Sequence, residues 1–250
     1  MIIFLQATVE GLSLAAIYSL VAIGFVLIYK AMEVLSFAQP ALAVVGAGII
    51  SSLAVDRGIP FWLALFLGVI LTGILGLLVE RTFLRPMVGE PVFSVAVLTI
   101  GIDILLRTVL DSWIGINPKY MGDPFPSYGN FGAIKLGGVN IKYLELAALI
   151  TAILLIILLT IFFRKSKYGI AMRATSYDQE AAMAQGINVG RIFGLVWLIA
   201  GILAAFAGFF ITGGFNTLSQ FSFISALRAL PAVVIGGLDS IPGAVVGSII

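Results

Sequence analysis

The sequence predicts an all-α, polytopic transmembrane helical bundle with broken or re-entrant helices and one short helix outside the bilayer. Three observations lead there. Of the 250 residues, 61% are hydrophobic and 10% charged, with a mean hydropathy of +1.16, whereas water-soluble domains carry about 25% charged residues. The apolar residues lie in runs of the length that a hydrocarbon core of about 30 Å demands. Between the fifth and sixth runs stands a polar stretch with its own helix start and stop signals. At about 20 residues per crossing, residues 1–250 hold roughly seven or eight spans in a single transmembrane domain, with no room for a soluble one.

Residues 9–29 make span 1, closed by Lys30 and Glu33. No basic residue precedes Lys30, so this run is expected to be a retained span and not a signal peptide. Span 2, residues 37–55, opens on Ser36-Phe37-Ala38-Gln39-Pro40. Pro40 lacks a backbone donor and Gln39 carries an amide to the membrane edge, so a broken or re-entrant start is expected. Span 3, residues 60–78, takes Pro60 in its first turn and stops at Glu80, Arg81 and Arg85. Span 4 covers 92–110. Residues 111–143, rich in Gly, Pro and Asn, are expected to form a loop outside the bilayer.

Span 5, residues 144–163, is closed by Arg164, Lys165 and Lys167, and span 6 covers 192–212, with Gly213-Gly214 expected to end it. Residues 221–235, interrupted by Arg228 and Pro231, are too short and too broken for an ordinary span. Gly236, Gly237, Asp239, Ser240, Pro242 and Gly243 then read as a tight, Gly-rich turn. An apolar segment from about residue 241 runs to Ile250. It is expected to be a partial last span, either because the sequence is truncated or because that span is missing.

Lys30, Arg81, Arg85, Arg164, Lys165, Lys167, Arg173 and Arg191 fall on one side of this scheme, and Arg57, Lys119, Lys135 and Lys142 on the other. Eight against four predicts that the first side is cytoplasmic, with the N-terminus and the long loop outside. Small residues recur at four-residue spacing, as in Gly68/Thr72/Gly76 and Ala200/Ala204/Gly208, which permits close helix approach. No tandem repeat is evident, although the interruptions at Gln39-Pro40 and at 213–231 suit broken helices in two structural halves.

The absences narrow the chemistry. With neither Cys nor His, the chain has no thiol nucleophile, disulfide, imidazole metal ligand or histidine relay. No metal or cofactor site is expected in it, nor a catalytic constellation. The net charge of +2 is spread out, whereas nucleic-acid binding needs a clustered basic face.

Ser176-Tyr177-Asp178-Gln179 fits a capping box, Asp178 adds favourable charge to a first turn, and Gly186 suits the C-terminal cap. A helix over residues 177–185 is predicted, too short to be stable alone in water. Its Ala181, Ala182, Met183 and Ala184 surface is smooth enough to enter a groove on another protein, or to lie on its own bundle.

RATSYDQEAAMAQGINVGR, from Arg173 to Arg191, resembles the cytoplasmic loop of LivH-type permeases, the membrane subunits of ABC importers of the branched-chain amino acid type. TVEGLSLAAIYSLVAIGFVLIY, SFAQPAL and ALPAVVIGGLDSIPGAVVGSII resemble further segments of that family, in the family's order. The chain departs from it at Pro40, where Gly is commoner, and the family's final span is expected to be missing or cut short by truncation. The resemblance implies a bacterial or archaeal cell-membrane permease that pairs with a second homologous permease, two cytoplasmic ATPase subunits and an extracytoplasmic binding protein. ATP and Mg²⁺ would sit on the ATPase subunits, and this chain has no G-x-x-x-x-G-K-[ST] loop. Arg173, Ala174, Thr175, Ser176, Tyr177, Asp178, Gln179, Ala181, Ala182, Met183, Gly186 and Asn188 would then form the coupling helix and its flanks.

Asp103 and Arg107 are charges inside span 4, each costing about 2.5–3.5 kcal/mol at a helix centre. Their i,i+4 spacing lets them neutralise each other. They are read either as lining for a translocation path or as a self-satisfied pair near the outer end. Arg228 has no partner evident in sequence and is a candidate for the path or an interface. Gln39 and Pro40 are path candidates because broken backbone at membrane depth needs protein or a cavity beside it. Trp113, Tyr120, Phe125, Tyr128 and Tyr143 suit interfacial anchoring or the docking of a binding protein.

The leading expectation is therefore an importer permease for branched-chain or other apolar amino acids, with urea or short amides as alternative solutes. A stand-alone channel or ion-coupled transporter is the competing class, disfavoured because such routes display several intramembrane carboxylates or histidines. A structural or enzymatic membrane subunit has no supporting residues.

Overall fold

The computed structural model describes residues 2–115, 117–122, 133–136, 139–215 and 217–250. Among them six helices are long and apolar enough to cross a membrane, and a bent pair near the C-terminus makes a possible seventh span. The bundle has two ends. One carries Lys30, Arg85, Lys165 and Arg191 and is called the basic end below; the other carries Asp56, Lys119 and Asn140 and is called the loop end.

Helix α1, Ile2–Met32, outruns the expected span at both ends. Gln6 and Glu10 do not stop it, because Gln6 Nε2 donates to Glu10 four residues on (2.8 Å) and to the Asn140 carbonyl (2.9 Å). Glu33, at φ +57°, turns the chain back into the bundle. Ser36, Ala38 and Gln39 are completely buried there. Helix α2, Gln39–Ser51, begins at that depth with Pro40 in its first turn, where a missing N–H costs no intrahelical bond. The Gln39 amide donates to the carbonyl of Ala200, midway along a later helix. The expected re-entrant start of span 2 is thus an irregular, protein-enclosed segment followed by a regular helix. A π-helical turn, Ser52–Asp56, finishes it.

Helix α3, Phe61–Val79, passes into a π-helical turn, Glu80–Leu84, and a 3₁₀ turn, Arg85–Met87. Helices α4, Val92–Ile114, and α5, Tyr143–Lys165, follow. The stretch between them is not loop alone: β1, Lys119–Tyr120, and the hairpin of β2, Ala133–Leu136, with β3, Val139–Lys142, are strands. Phe125 and Tyr128 lie outside the described residues.

Helices α6, Lys167–Tyr177, and α7, Gln179–Ala184, lead to α8, Val189–Phe215. Gly213-Gly214 does not end α8, as the sequence suggested; Leu144 packs over Gly213 and the helix continues. Strand β4, Thr217–Leu218, pairs antiparallel with β1. Helices α9, Gln220–Leu227, and α10, Ala229–Gly236, are separated at Arg228. Pro231 explains the break, since it has no N–H for the Leu227 carbonyl and its ring crowds that oxygen. Helix α11, Ile241–Ile249, is bent 115° from the preceding segment.

Helix α8 is the centre, packed along α1, α2 and α3, with Trp197 and Phe193 buried. The α2–α8 approach is backbone to backbone: a Cβ on Gly208 would collide with the Ala43 carbonyl oxygen. Helices α4 and α5 are peripheral and leave rows such as Phe93, Ile104, Ile150 and Leu154 exposed, suited to lipid.

Candidate functional site

The basic end holds the short helix pair. Ser166 caps α6, its hydroxyl accepting from the Tyr168 N–H (3.2 Å). That helix runs through Tyr177, so Ser176 lies in its last turn and bonds back to the Arg173 carbonyl (2.8 Å). The predicted capping box at Ser176–Gln179 therefore does not form. Asp178 is the cap instead, its carboxylate accepting from the Ala181 N–H (2.9 Å), which also suits the positive end of the α7 dipole. The helix predicted over 177–185 is correspondingly shorter, Gln179–Ala184.

Gly186, at φ +82°, closes α7 as expected. Its N–H donates to Met183 O (2.9 Å) and that of Ile187 to Ala182 O (3.0 Å), the two bonds of a Schellman turn. Asn188 Oδ1 then accepts from the Arg191 N–H and opens α8 without slack. Around α7 the surface divides. Ala182 is 4% exposed, and Thr175 and Met172 are buried with it against the bundle. Tyr177 is 90% exposed and Met183 53%, and Arg173, Asp178, Ala181 and Asn188 are exposed too. Ala182 is thus not on the outward surface where the sequence put it; the other named residues of that surface are.

Glu80 and Arg85, read from sequence only as the end of a span, form a second feature of this end. Glu80 is fully buried, and Arg85 holds it through Nη2 (2.9 Å) and Nε (3.2 Å) while donating to the Gly190 carbonyl (2.8 Å). The first turn of α8 is thereby pinned to the end of α3. A carboxylate set directly after a long apolar run was the available signal.

At the loop end, α9 is surrounded by cavities. One of about 270 Å³ is lined by Arg107, Asp111, Asn117, Ser219 and Phe223. Asp103 and Arg107 do pair along α4, and the guanidinium also lies 4.1 Å from the centre of the Phe223 ring on α9. The pair thus ties α4 to α9 at a cavity wall. A second cavity, about 500 Å³, brings Thr217, Ser219, Ser222, Ser225 and Arg228 together. A third, about 320 Å³, is lined by Arg228 and Ser225 together with Glu10, Tyr18, Lys142 and Glu145. Gln39 is completely buried and Pro40 is buried beside it, and neither lines any of these.

The turn at the basic end reverses the chain by close backbone contact. Gly237 has φ +91°, a Cβ on Gly236 or Gly243 would strike the other's carbonyl, Ser240 Oγ accepts from the Gly243 N–H (3.0 Å), and Pro242 sits in the first turn of α11. Lys30 Nζ donates to the Asp239 carbonyl at 3.5 Å.

Residues 7–250 match the family model described as the permease component of branched-chain amino acid transport systems. The chain is 28% identical to the high-affinity branched-chain amino acid transport system permease protein BraD of Pseudomonas aeruginosa and 27% identical to LivH of Escherichia coli K12, in both cases over 99% of this chain and 83% of the relative. A probable branched-chain amino acid transport permease protein LivH of Methanocaldococcus jannaschii is 28% identical over 94% of this chain and 76% of its own. No solved structure matches.

Proposed function

The chain belongs to the permease component family of branched-chain amino acid transport systems, and from that premise we propose that it is the membrane subunit of an ATP-driven importer for branched-chain or other apolar amino acids. In this reading it pairs with a second homologous permease, two cytoplasmic ATPase subunits that carry ATP and Mg²⁺, and an extracytoplasmic binding protein. The excess of basic residues makes the basic end cytoplasmic and puts the N-terminus outside.

One observation carries the reading: an exposed, capped helix, α7, is joined without slack to α8 at the basic end of the bundle. A push on α7 passes through the Schellman turn into the first turn of α8, which Arg85 ties to α3. Since α8 packs along α1, α2 and α3, the load moves helices as rigid bodies, the manner in which packed interfaces switch. The buried face of α7 holds it on its own bundle, and Tyr177 and Met183 are left for the ATPase surface.

Reconstitution of this chain with the partner subunits and the binding protein in proteoliposomes tests the proposal. ATP-dependent leucine uptake that vanishes when the ATPase subunits are omitted is the expected result. Uptake through this polypeptide without nucleotide sinks it in favour of a channel or ion-coupled carrier. ATPase stimulation by urea, with none by leucine, isoleucine or valine, replaces the solute.

A further inference from the structure

Arg228 is the one charge at the α9–α10 break, exposed on the bundle surface, and its guanidinium has no ion-pair or hydrogen-bond partner among the described residues. A guanidinium presents five donors in a fixed fork that matches a carboxylate. Unpaired arginine in a spanning segment is costly, so it marks a ligand or pathway by default. The cavity that Arg228 enters between α1, α5, α8 and α9 supplies the rest of a recognition set.

That cavity of about 320 Å³ is also lined by two carboxylates, Glu10 and Glu145, and by Lys142. Glu145 is already engaged, accepting from the Lys142 N–H and lying 3.5 Å from Lys142 Nζ. Glu10 is exposed and, among the described residues, accepts only from Gln6, through Oε1. The same cavity has an apolar wall that includes Leu14, Ile17, Phe210 and Ile211. The volume lies at the small end of the range of ligand pockets, about 300–1,000 Å³.

We propose that this cavity binds an amphipathic zwitterion, an α-amino acid with an apolar side chain, whose carboxylate pairs with Arg228, whose ammonium pairs with Glu10, and whose side chain lies on the Phe210–Ile211 wall. This rests on the importer reading and deepens it by giving this chain a solute site of its own. Opposite charges in one cavity fix orientation and favour solutes that carry both, because a solute lacking either charge forgoes one charge-assisted hydrogen bond. A phospholipid with an ammonium headgroup has the same chemistry, and the choice of lipid separates the two.

The test uses the assembled importer in nanodiscs of phosphatidylglycerol alone, with radiolabelled leucine and no binding protein. Saturable leucine binding is expected, displaced by isoleucine and not by leucinamide or 4-methylpentanoate. Arg228→Gln and Glu10→Gln should each weaken binding about tenfold or more, the scale of one lost charge-assisted hydrogen bond, and Arg228→Lys should retain part of it. Wild-type binding by both variants overturns the proposal, as do competition by the two singly charged analogues and displacement of leucine once phosphatidylethanolamine is added. Should Arg228→Gln fail to assemble, the analogue series on the wild type decides. ATP-driven uptake on the same discs' subunits in proteoliposomes is scored separately. Uptake with no charge-dependent binding sinks this site alone, whereas binding with no nucleotide-dependent uptake sinks the importer reading alone.

Discussion

Arg85 lies over Glu80 because the chain between them is a π-helical turn, closed by the Arg85 N–H on the Glu80 carbonyl. Five residues apart on an α-helix the two side chains would point to different faces, and the wider π turn brings them back into register. The ion pair is thus built into the backbone where α3 ends. Its third contact, to Gly190, reaches the residue just beyond the α7–α8 turn.

Arg85→Ala should destabilise the protein by about 3 kcal/mol, because it strands a fully buried carboxylate. Arg85 is itself partly exposed, which keeps the loss below that of a wholly buried pair. Glu80→Gln should cost only about 1 kcal/mol, since the amide oxygen still accepts from the guanidinium. Denaturant titration of the bundle in detergent measures both. Equal losses for the two variants would show that the carboxylate charge, and not the stranding, is what matters.

Neighbouring positions on α7 should fail in different ways. Met183→Glu adds charge to an exposed position, so the bundle should fold with wild-type stability while ATP-driven uptake falls about tenfold or more, the size of one disrupted interface anchor. Ala182→Glu drives a charge against the bundle and should lower stability and yield before any effect on coupling is read. Thermal unfolding and co-purification of the ATPase subunits, measured together, separate these. A Met183→Glu variant with intact uptake removes that face of α7 from the ATPase contact.

The spans were legible because length and hydropathy alone dictate them. Their ends were less so. Helix α1 runs past Glu10 because a hydrogen bond to Asn140, 134 residues away, supports its polar first turns, and no local pattern encodes that. Ser176 and Asp178 are both good caps, and sequence chose Ser176; the outcome turned on α6, which starts at Ser166 and carries helix through Tyr177. Arg228 and Pro231 announced a break, and the structure puts that break at a cavity with Glu10. Pairing α1 with α9 in this way is a tertiary fact. Gln39 was singled out as a path candidate at the membrane edge, whereas the structure buries it in the bundle, and its surroundings, the Gly24 face and Ala200, depend on how α1 and α8 flank α2.

That last packing yields a coupled prediction. Gln39 is completely buried, with Nε2 on the Ala200 carbonyl at 3.1 Å and Oε1 without a partner among the described residues. Its amide fills the space that a side chain on Gly24 would take, so a Cβ there would collide with Nε2. Gly24→Ala should therefore push the amide off Ala200 and cost about 1–3 kcal/mol, as overpacking does. Gln39→Ala alone leaves a void beside Gly24 and is also destabilising. In the double variant the new methyl occupies part of that void and no amide is left unbonded, so the losses should fall short of additive by about 0.5–3 kcal/mol, the range for residues in direct contact. A double-mutant cycle on unfolding free energy gives the number. Strict additivity would mean that α1 and α2 do not meet at this depth, and the re-entrant segment would have to be placed elsewhere in the bundle.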